Sequence, residues 1–356
     1  MHVAVLAHSR HPIATPFAGG LESLTWYLVK GLVQRGVLVS LFASPGSDPG
    51  LGVEELAIDD WPLSSAARDD AAMPPEAFLR EHFAYLDVMN RLARRDDIDV
   101  IHNNSLHYLP LALAGAGPLP LLTTLHTPPT PWMEPAIRLA DRSRMRFVSV
   151  SRATADSWDD IVRSDVVYNG IDLESWLPGK GGNDLVWFGR LVPEKGAHLA
   201  IEIARRADRR LVLAGPVADP QYFDASIAPF LGESVRYAGH LSQEELCRLV
   251  GGSALALVTP VWDEPYGLVA AESMACGTPV LALGRGGLPE VVRDDCGVIV
   301  WDTDDDAVAV TAAVRSLPAA LAKSRSACRQ HAEQFCSLDV MIDKYLALYA
   351  QMSARS

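Results

Sequence analysis

The sequence predicts an α/β protein made of two doubly wound domains that face each other across a cleft. Three observations carry this expectation. Short apolar runs alternate with helical patterns from end to end, as in parallel sheets joined by helical crossovers. A length of 356 residues suits two domains of ordinary size. The stretch Leu173–Asp184, L-E-S-W-L-P-G-K-G-G-N-D, breaks the alternation with linker composition. The expected division is 1–172 and 173–337, with ligands in the crevice at the carboxyl ends of both sheets.

Each element has its own signal. The first run reads strand His2–Ala7, helix Leu21–Gln34 and strand Val37–Phe42. After a polar, Pro/Gly-rich stretch come a helix near Pro75–Arg94 and strand Val100–His102. Strand Leu119–Leu125, a helix near Trp132–Asp141, strand Phe147–Val150, a helix from Ser151 and strand Asp165–Tyr168 complete it. The second run opens with strand Leu185–Phe188, helix Ala197–Ala207 and strand Leu211–Leu213. A helix near Gln221–Phe230, strand Val235–Tyr237, helix Gln243–Leu249 and strands Leu255–Val258 and Val280–Leu283 follow, and helices finish the chain.

Composition narrows the function. Hydrophobic residues make up 49 %, enough for full cores. The net charge of -13 argues against a nucleic-acid partner. Five cysteines without CxxC pairing fit reduced thiols in a cytoplasmic protein. The N-terminus runs straight into a strand without a basic leader, and no apolar run reaches the length of a membrane span.

The most informative stretch is Thr259–Pro279, T-P-V-W-D-E-P-Y-G-L-V-A-A-E-S-M-A-C-G-T-P. Pro260 and Pro265 force a loop after the strand. A helical pattern starts at Gly267 and is stopped by Gly277 and Pro279. Unpaired amides and the dipole at the start of that helix favour an anion. Glu264 lies in the loop, and Glu272 lies ~7.5 Å along the helix axis from Gly267. A diphosphate on the helix start therefore leaves Glu272 near a ribose and Glu264 near a group on the other side. A second cue is F-G-R-L-V-P-E-K-G at Phe188–Gly196. Pro193 suits a first helical turn, which puts Lys195 in that turn with Arg190 just before it. A cation there opposes the helix dipole unless an anion sits beside it.

The spacing Glu264-x7-Glu272, the M-A-C-G-T-P-V-L after it and the G-R-x-x-x-x-K-G of Gly189–Gly196 resemble the family 4 glycosyltransferases, over nearly the whole chain. The resemblance implies a GT-B fold of two Rossmann-like domains. It also implies that the final helix, residues 338–356 at most, crosses back onto the first domain. Arg190 and Lys195 are then expected to neutralise the donor diphosphate. The amides near Gly267, Leu268 and Val269, next to Tyr266, hold that diphosphate. Glu272 takes the ribose, and Glu264 and His126 take the donor sugar. Gly20, in the Gly-Gly opening the first helix, lies near the phosphates. His240 and Leu241 of Y-A-G-H-L are expected at the base.

His8, Arg10, His11 and His102 are candidates for the acceptor side. Ser151 reads as a helix N-cap, and N-G-I-D at Asn169–Asp172 as a turn. Glu290 in G-G-L-P-E-V-V, with Gly286 and Gly287, reads as a brace for the site. The acids Asp302–Asp306 suit a helix N-terminus, so no metal is implied.

The expectation is a retaining glycosyltransferase that moves a sugar from a nucleoside-diphosphate sugar, a UDP-sugar favoured, to a hydroxyl of a sugar or natural product, with no other cofactor. A sugar-nucleotide epimerase or phosphorylase on the same fold is the alternative enzyme. A two-lobed sugar-binding protein is the non-enzymatic reading. An NAD-dependent dehydrogenase is weakened by the missing G-x-G-x-x-G.

Overall fold

The computed structural model describes residues 1–57, 63–301 and 305–354. Its first sheet holds β1 (His2–Leu6), β2 (Leu38–Ala43), β3 (Val53–Glu55), β4 (Val100–Asn103), β5 (Leu121–Leu125), β6 (Met145–Ser149) and β7 (Asp165–Val166). Their order is β3-β2-β1-β4-β5-β6-β7. The second sheet holds β8 (Leu185–Phe188), β9 (Leu211–Ala214), β10 (Val235–Tyr237), β11 (Leu255–Val258), β12 (Val280–Leu283) and β13 (Gly297–Val300), in the order β10-β9-β8-β11-β12-β13. Every pairing in both sheets is parallel. Both orders reverse beside the first strand of the sheet, which opens a crevice at the carboxyl ends there.

The central strands are continuous apolar runs because helices cover both faces. Val3–Leu6, Leu185–Trp187 and Val280–Leu283 are almost completely inaccessible. Two edge strands escape the sequence reading. Residues 53–55 lie in a polar stretch, and β13 follows a helix too short to announce a crossover, Leu288–Val291.

The final helix, Leu338–Ser353, returns to the first sheet. Met341, Ile342, Tyr345 and Tyr349 share one core with Leu28, Leu32 and Val5. Gly31 allows the close approach, since a Cβ there would meet Ile342 at 2.9 Å. Arg35 pairs with Asp339, at 2.7 Å, and with Asp343.

His102 closes this contact. Its Nδ1 is hydrogen-bonded to Tyr349 Oη at 2.6 Å and its Nε2 to Thr124 Oγ1 at 2.8 Å, with the ring fully buried. The expectation that His102 faces an acceptor is therefore corrected: it anchors the returning helix.

Asn169–Asp172 is a junction held by the returning chain. Ile171 donates its N–H to Cys336 and accepts from Leu338. A Cβ on Gly170 would lie 2.6 Å from Leu338 Cα, so only glycine fits. The segment read as linker is not loose. Trp176 is buried, and a Cβ on Gly179 would lie 2.2 Å from the Gly251 carbonyl.

Candidate active site

A cleft of ≈ 360 Å³ opens where the carboxyl ends of the two sheets meet. Its walls include all twelve residues expected at the site, from Gly20 and His126 on one side to Arg190, Lys195, His240, Leu241, Glu264, Tyr266–Val269 and Glu272 on the other.

The floor is built from the loop and helix of Thr259–Pro279. Gly267 sits at φ +92 as the N-cap, so the helix begins one residue later than read, at Leu268–Ala275. The N–H groups of Gly267, Leu268 and Val269 find no acceptor among the described residues. Gly196, at φ +66, turns the chain so tightly that a Cβ would lie 1.8 Å from the Thr259 carbonyl. Thr259 Oγ1 donates back to Gly196 O at 2.8 Å.

The expected helical turn around Lys195 is corrected. Pro193–Lys195 is a separate 3-10 turn, and the α-helix begins at Ala197 after the left-handed Gly196. Lys195 therefore precedes that helix rather than lying in its first turn. Its counter-ion is Glu264: Nζ donates to Oε2 at 2.6 Å, with both side chains largely buried. Trp262, which the sequence reading did not single out, donates Nε1–H to the same Oε2 at 3.1 Å. The Lys195 ammonium also lies 4.9 Å from the Trp262 ring centroid. The signal was an indole two residues before Glu264 in a loop otherwise made for turns.

Arg190 is exposed and lies across Gly19, whose added Cβ would be 3.8 Å from Arg190 Cδ. Among the described residues it has no ion pair. Gly20 touches the second wall, since a Cβ there would meet Leu268 Cδ1 at 2.9 Å. The Glu272 carboxyl has no hydrogen-bond partner among the described residues, and burial pushes it up to about 8. Tyr266 is 2 % exposed, so its ring belongs to the core under the helix.

His126 donates Nε2–H to Asn104 Oδ1 at 2.8 Å. Burial, with His8 nearby, lowers it to about 3. The ring is neutral, so Nδ1 is left as an acceptor for a hydroxyl. His8 is buried 4.0 Å from Glu22, and neither it nor Arg10 nor His11 lines the cleft.

The G-G-L-P-E-V-V segment is a brace, as read. Gly287 N–H donates to Glu264 O at 2.7 Å. The Glu290 carboxylate accepts from the N–H of Arg152 and Ala153 and from Tyr168 Oη, at 2.8–2.9 Å. It thereby caps a helix of the first half. Ser151 is that helix's N-cap, accepting from Thr154 N–H at 3.0 Å. Of the acidic run 302–306, residues 302–304 lie outside the described residues. Asp305 caps the next helix through Val308 N–H.

The Glycosyltransferase Family 4 profile matches residues 18–175, and the Glycosyl transferases group 1 profile matches residues 171–334. A curated relative, D-inositol 3-phosphate glycosyltransferase of Mycobacterium avium (strain 104), is 31 % identical over 98 % of this chain and 93 % of its own. The chain is a group 1, family 4-like glycosyltransferase.

Its fold is GT-B. The avilamycin-biosynthesis glycosyltransferase AviGT4 superposes with a TM-score of 0.71 at 22 % identity, over 100 % of this chain and 98 % of that one. The Anabaena protein Alr3699/HepE, solved with UDP-glucose, superposes with a TM-score of 0.72 at 19 % identity, over 99 % and 100 %. Sugar transfer is the activity of this glycosyltransferase family, and the readings as a dehydrogenase or a non-catalytic binder fall away. No helix among the described residues is long and apolar enough to cross a membrane.

Proposed function

We propose that the enzyme moves a sugar, with retention, from a UDP-sugar to a hydroxyl of a sugar or natural product. One observation carries the reading. Unpaired helix amides at Gly267–Val269, two cations at Arg190 and Lys195 and an unpartnered carboxyl at Glu272 all line one cleft. The amides and cations suit a diphosphate, and Glu272 suits a ribose at the far end of it. Preorganised donors around a departing diphosphate stabilise its growing charge as the sugar leaves. In this assignment residues 1–172, completed by the returning helix, hold the acceptor, and residues 173–337 hold the donor. His240 and Leu241 flank the base. Glu264 and His126 face the sugar, with Glu264 oriented by Lys195 and Trp262. The cationic pair stands where a metal would otherwise neutralise the diphosphate, so transfer is metal-independent.

The UDP and UDP-glucose complexes of the Anabaena neighbour support the donor. The name of the mycobacterial relatives supports a ring hydroxyl as the receiving atom. The test is a calorimetric titration with UDP, uridine and UDP-glucose, followed by NMR of the anomeric proton in the product. UDP is expected to bind far more tightly than uridine, without added metal and after EDTA. Equal binding of both, or loss of UDP binding on chelation, overturns the diphosphate assignment. An inverted anomer overturns retention.

A further inference from the structure

The first half carries a ladder of rings that no role assigned above uses. Tyr85, fully buried, stacks on His107 at 4.6 Å and 21°. His107 stacks on Tyr108 at 4.8 Å and 23°. Tyr108 stacks on Trp132 at 5.8 Å and 20°. Phe78 meets Trp132 at 6.0 Å. The ladder thus climbs from the core to the surface and ends on two open rings, Trp132 at 56 % and Phe78 at 38 % exposure. Tyr108 is fixed by a hydrogen bond between its Oη and His82 Nδ1 at 3.0 Å.

Topology places this ladder at the mouth of the cleft. Residues 106–108 follow β4 and residues 126–132 follow β5, so both loops leave the same carboxyl edge of the sheet. Leu106, beside His107, and Thr127, in the loop that leads to Trp132, line the cleft itself. The ladder continues the wall that His126 belongs to. Trp132 and Phe78 adjoin, so they expose one contiguous apolar face rather than scattered single rings.

Charge narrows what binds. Arg10 faces Glu81 at 4.0 Å, Glu81 also accepts from Ser9 Oγ at 2.9 Å, and Arg80, two residues from Phe78, pairs with Glu76 at 2.6 Å. Arg138, on the helix after Trp132, is paired with Glu134 at 2.9 Å. His8 and His107 are neutral at pH 7, burial lowering each to about 4. Rings without a spare cation suit a flat uncharged face better than a phosphate.

Resting on the glycosyltransferase reading, the geometry points to an acceptor subsite at Trp132, Phe78 and Tyr108 that takes a neutral ring lying flat. The ring is either the C–H face of an uncharged sugar or an aromatic aglycone, and a phosphorylated acceptor is disfavoured. The shared chemistry is an apolar face packed on an aromatic one.

The test uses saturation-transfer NMR on the full chain with UDP present. The probes are p-nitrophenyl β-D-glucoside, methyl β-D-glucoside and glucose 6-phosphate. At least one neutral probe is expected to bind more tightly than glucose 6-phosphate. Signal from methyl glucoside identifies the sugar face, and signal from the nitrophenyl compound alone identifies the aromatic one. Trp132→Ala and Phe78→Ala should each weaken the neutral probe about tenfold or more, as loss of an aromatic anchor does. Both variants should keep calorimetric UDP binding. That second readout separates the two readings, because failure of UDP binding in the unaltered enzyme strikes the donor assignment. Absence of signal from both neutral probes, equal or tighter binding of glucose 6-phosphate, or unchanged probe binding in both variants overturns the acceptor subsite.

Discussion

Lys195 Nζ lies 2.6 Å from Glu264 Oε2 at the base of the cleft. The residues expected to grip the diphosphate and the sugar therefore grip each other before any donor arrives. A donor that recruits Lys195 to its diphosphate must share or break this bond, so diphosphate arrival and release of the sugar-side carboxylate are linked.

The first prediction follows from that pair. Lys195→Ala should weaken UDP by about 10- to 150-fold, the worth of a hydrogen bond to a charged group of about 1.5–3 kcal/mol. Uridine binding should stay unchanged. Glu264→Gln should release Lys195, so UDP should bind no more weakly while turnover falls. Calorimetry and steady-state kinetics on both single variants and the double variant measure the coupling. Strictly additive effects would show that the two side chains act independently.

Trp262→Phe keeps the ring beside Lys195 and removes the N–H that Glu264 accepts. The expected outcome is a lower kcat with the UDP dissociation constant unchanged. A change in UDP affinity as large as that of Lys195→Ala would place Trp262 at the diphosphate instead.

Glu272 makes stability depend on pH. Its carboxyl titrates near 8 in the folded chain and ordinarily near 4.5. Between those values the folded state holds a proton that the unfolded state has lost, so stability falls as pH rises through this window. Below it the penalty vanishes. Glu272→Gln should flatten the fall in Tm between pH 5 and pH 8, read by differential scanning calorimetry against the unaltered enzyme. Ribose hydroxyls donating to the carboxylate favour its charged form. Nucleotide binding near pH 7 should then release a proton, which titrations in buffers of different ionisation enthalpy detect.

Gly196→Ala tests the scaffold beneath Lys195. A methyl group there would overlap the Thr259 carbonyl at 1.8 Å, in a left-handed conformation that alanine disfavours. A loss of about 3 kcal/mol or more of stability is expected, from strain and backbone clash together. UDP binding should weaken as well. Thermal melts and calorimetry at a temperature where the variant stays folded read both effects.

Much of this was legible because it is written locally. The strand runs Leu185–Phe188 and Leu255–Val258 matched to the residue, since buried parallel strands are unbroken apolar runs between turn signals. The twelve site residues came together because motif spacing on a doubly wound fold fixes where loops meet. What escaped depends on contacts between distant residues. Nothing near His102 in sequence reveals Tyr349, which claims it from the far end of the chain. Lys195 looked like a cation at a helix start because Pro193 is equally at home in a 3-10 turn, and only Thr259 explains why Gly196 breaks the helix there. The ring ladder draws on residues 78, 85, 107, 108 and 132, spaced at no period.

The returning helix also sets the order in which the protein can be finished. Chains are made from the N-terminus, and domains usually fold as they emerge. Here the strands β1–β7 emerge first, yet the core that holds Leu28 and Leu32 is not complete until Ile342 and Tyr345 exist. Strands β8–β13 lie together in 185–300, and their later partners, Ala309 and Val310 in one core and Cys328 and Ala332 in the other, still precede Leu338. Hydrogen exchange on chains stalled before Leu338 should find the helix Gly20–Gln34 poorly protected, and Tyr349→Phe should reproduce part of that loosening in the full chain without changing UDP affinity. The half that is translated first is thus completed last, only once nearly the whole chain has been synthesised.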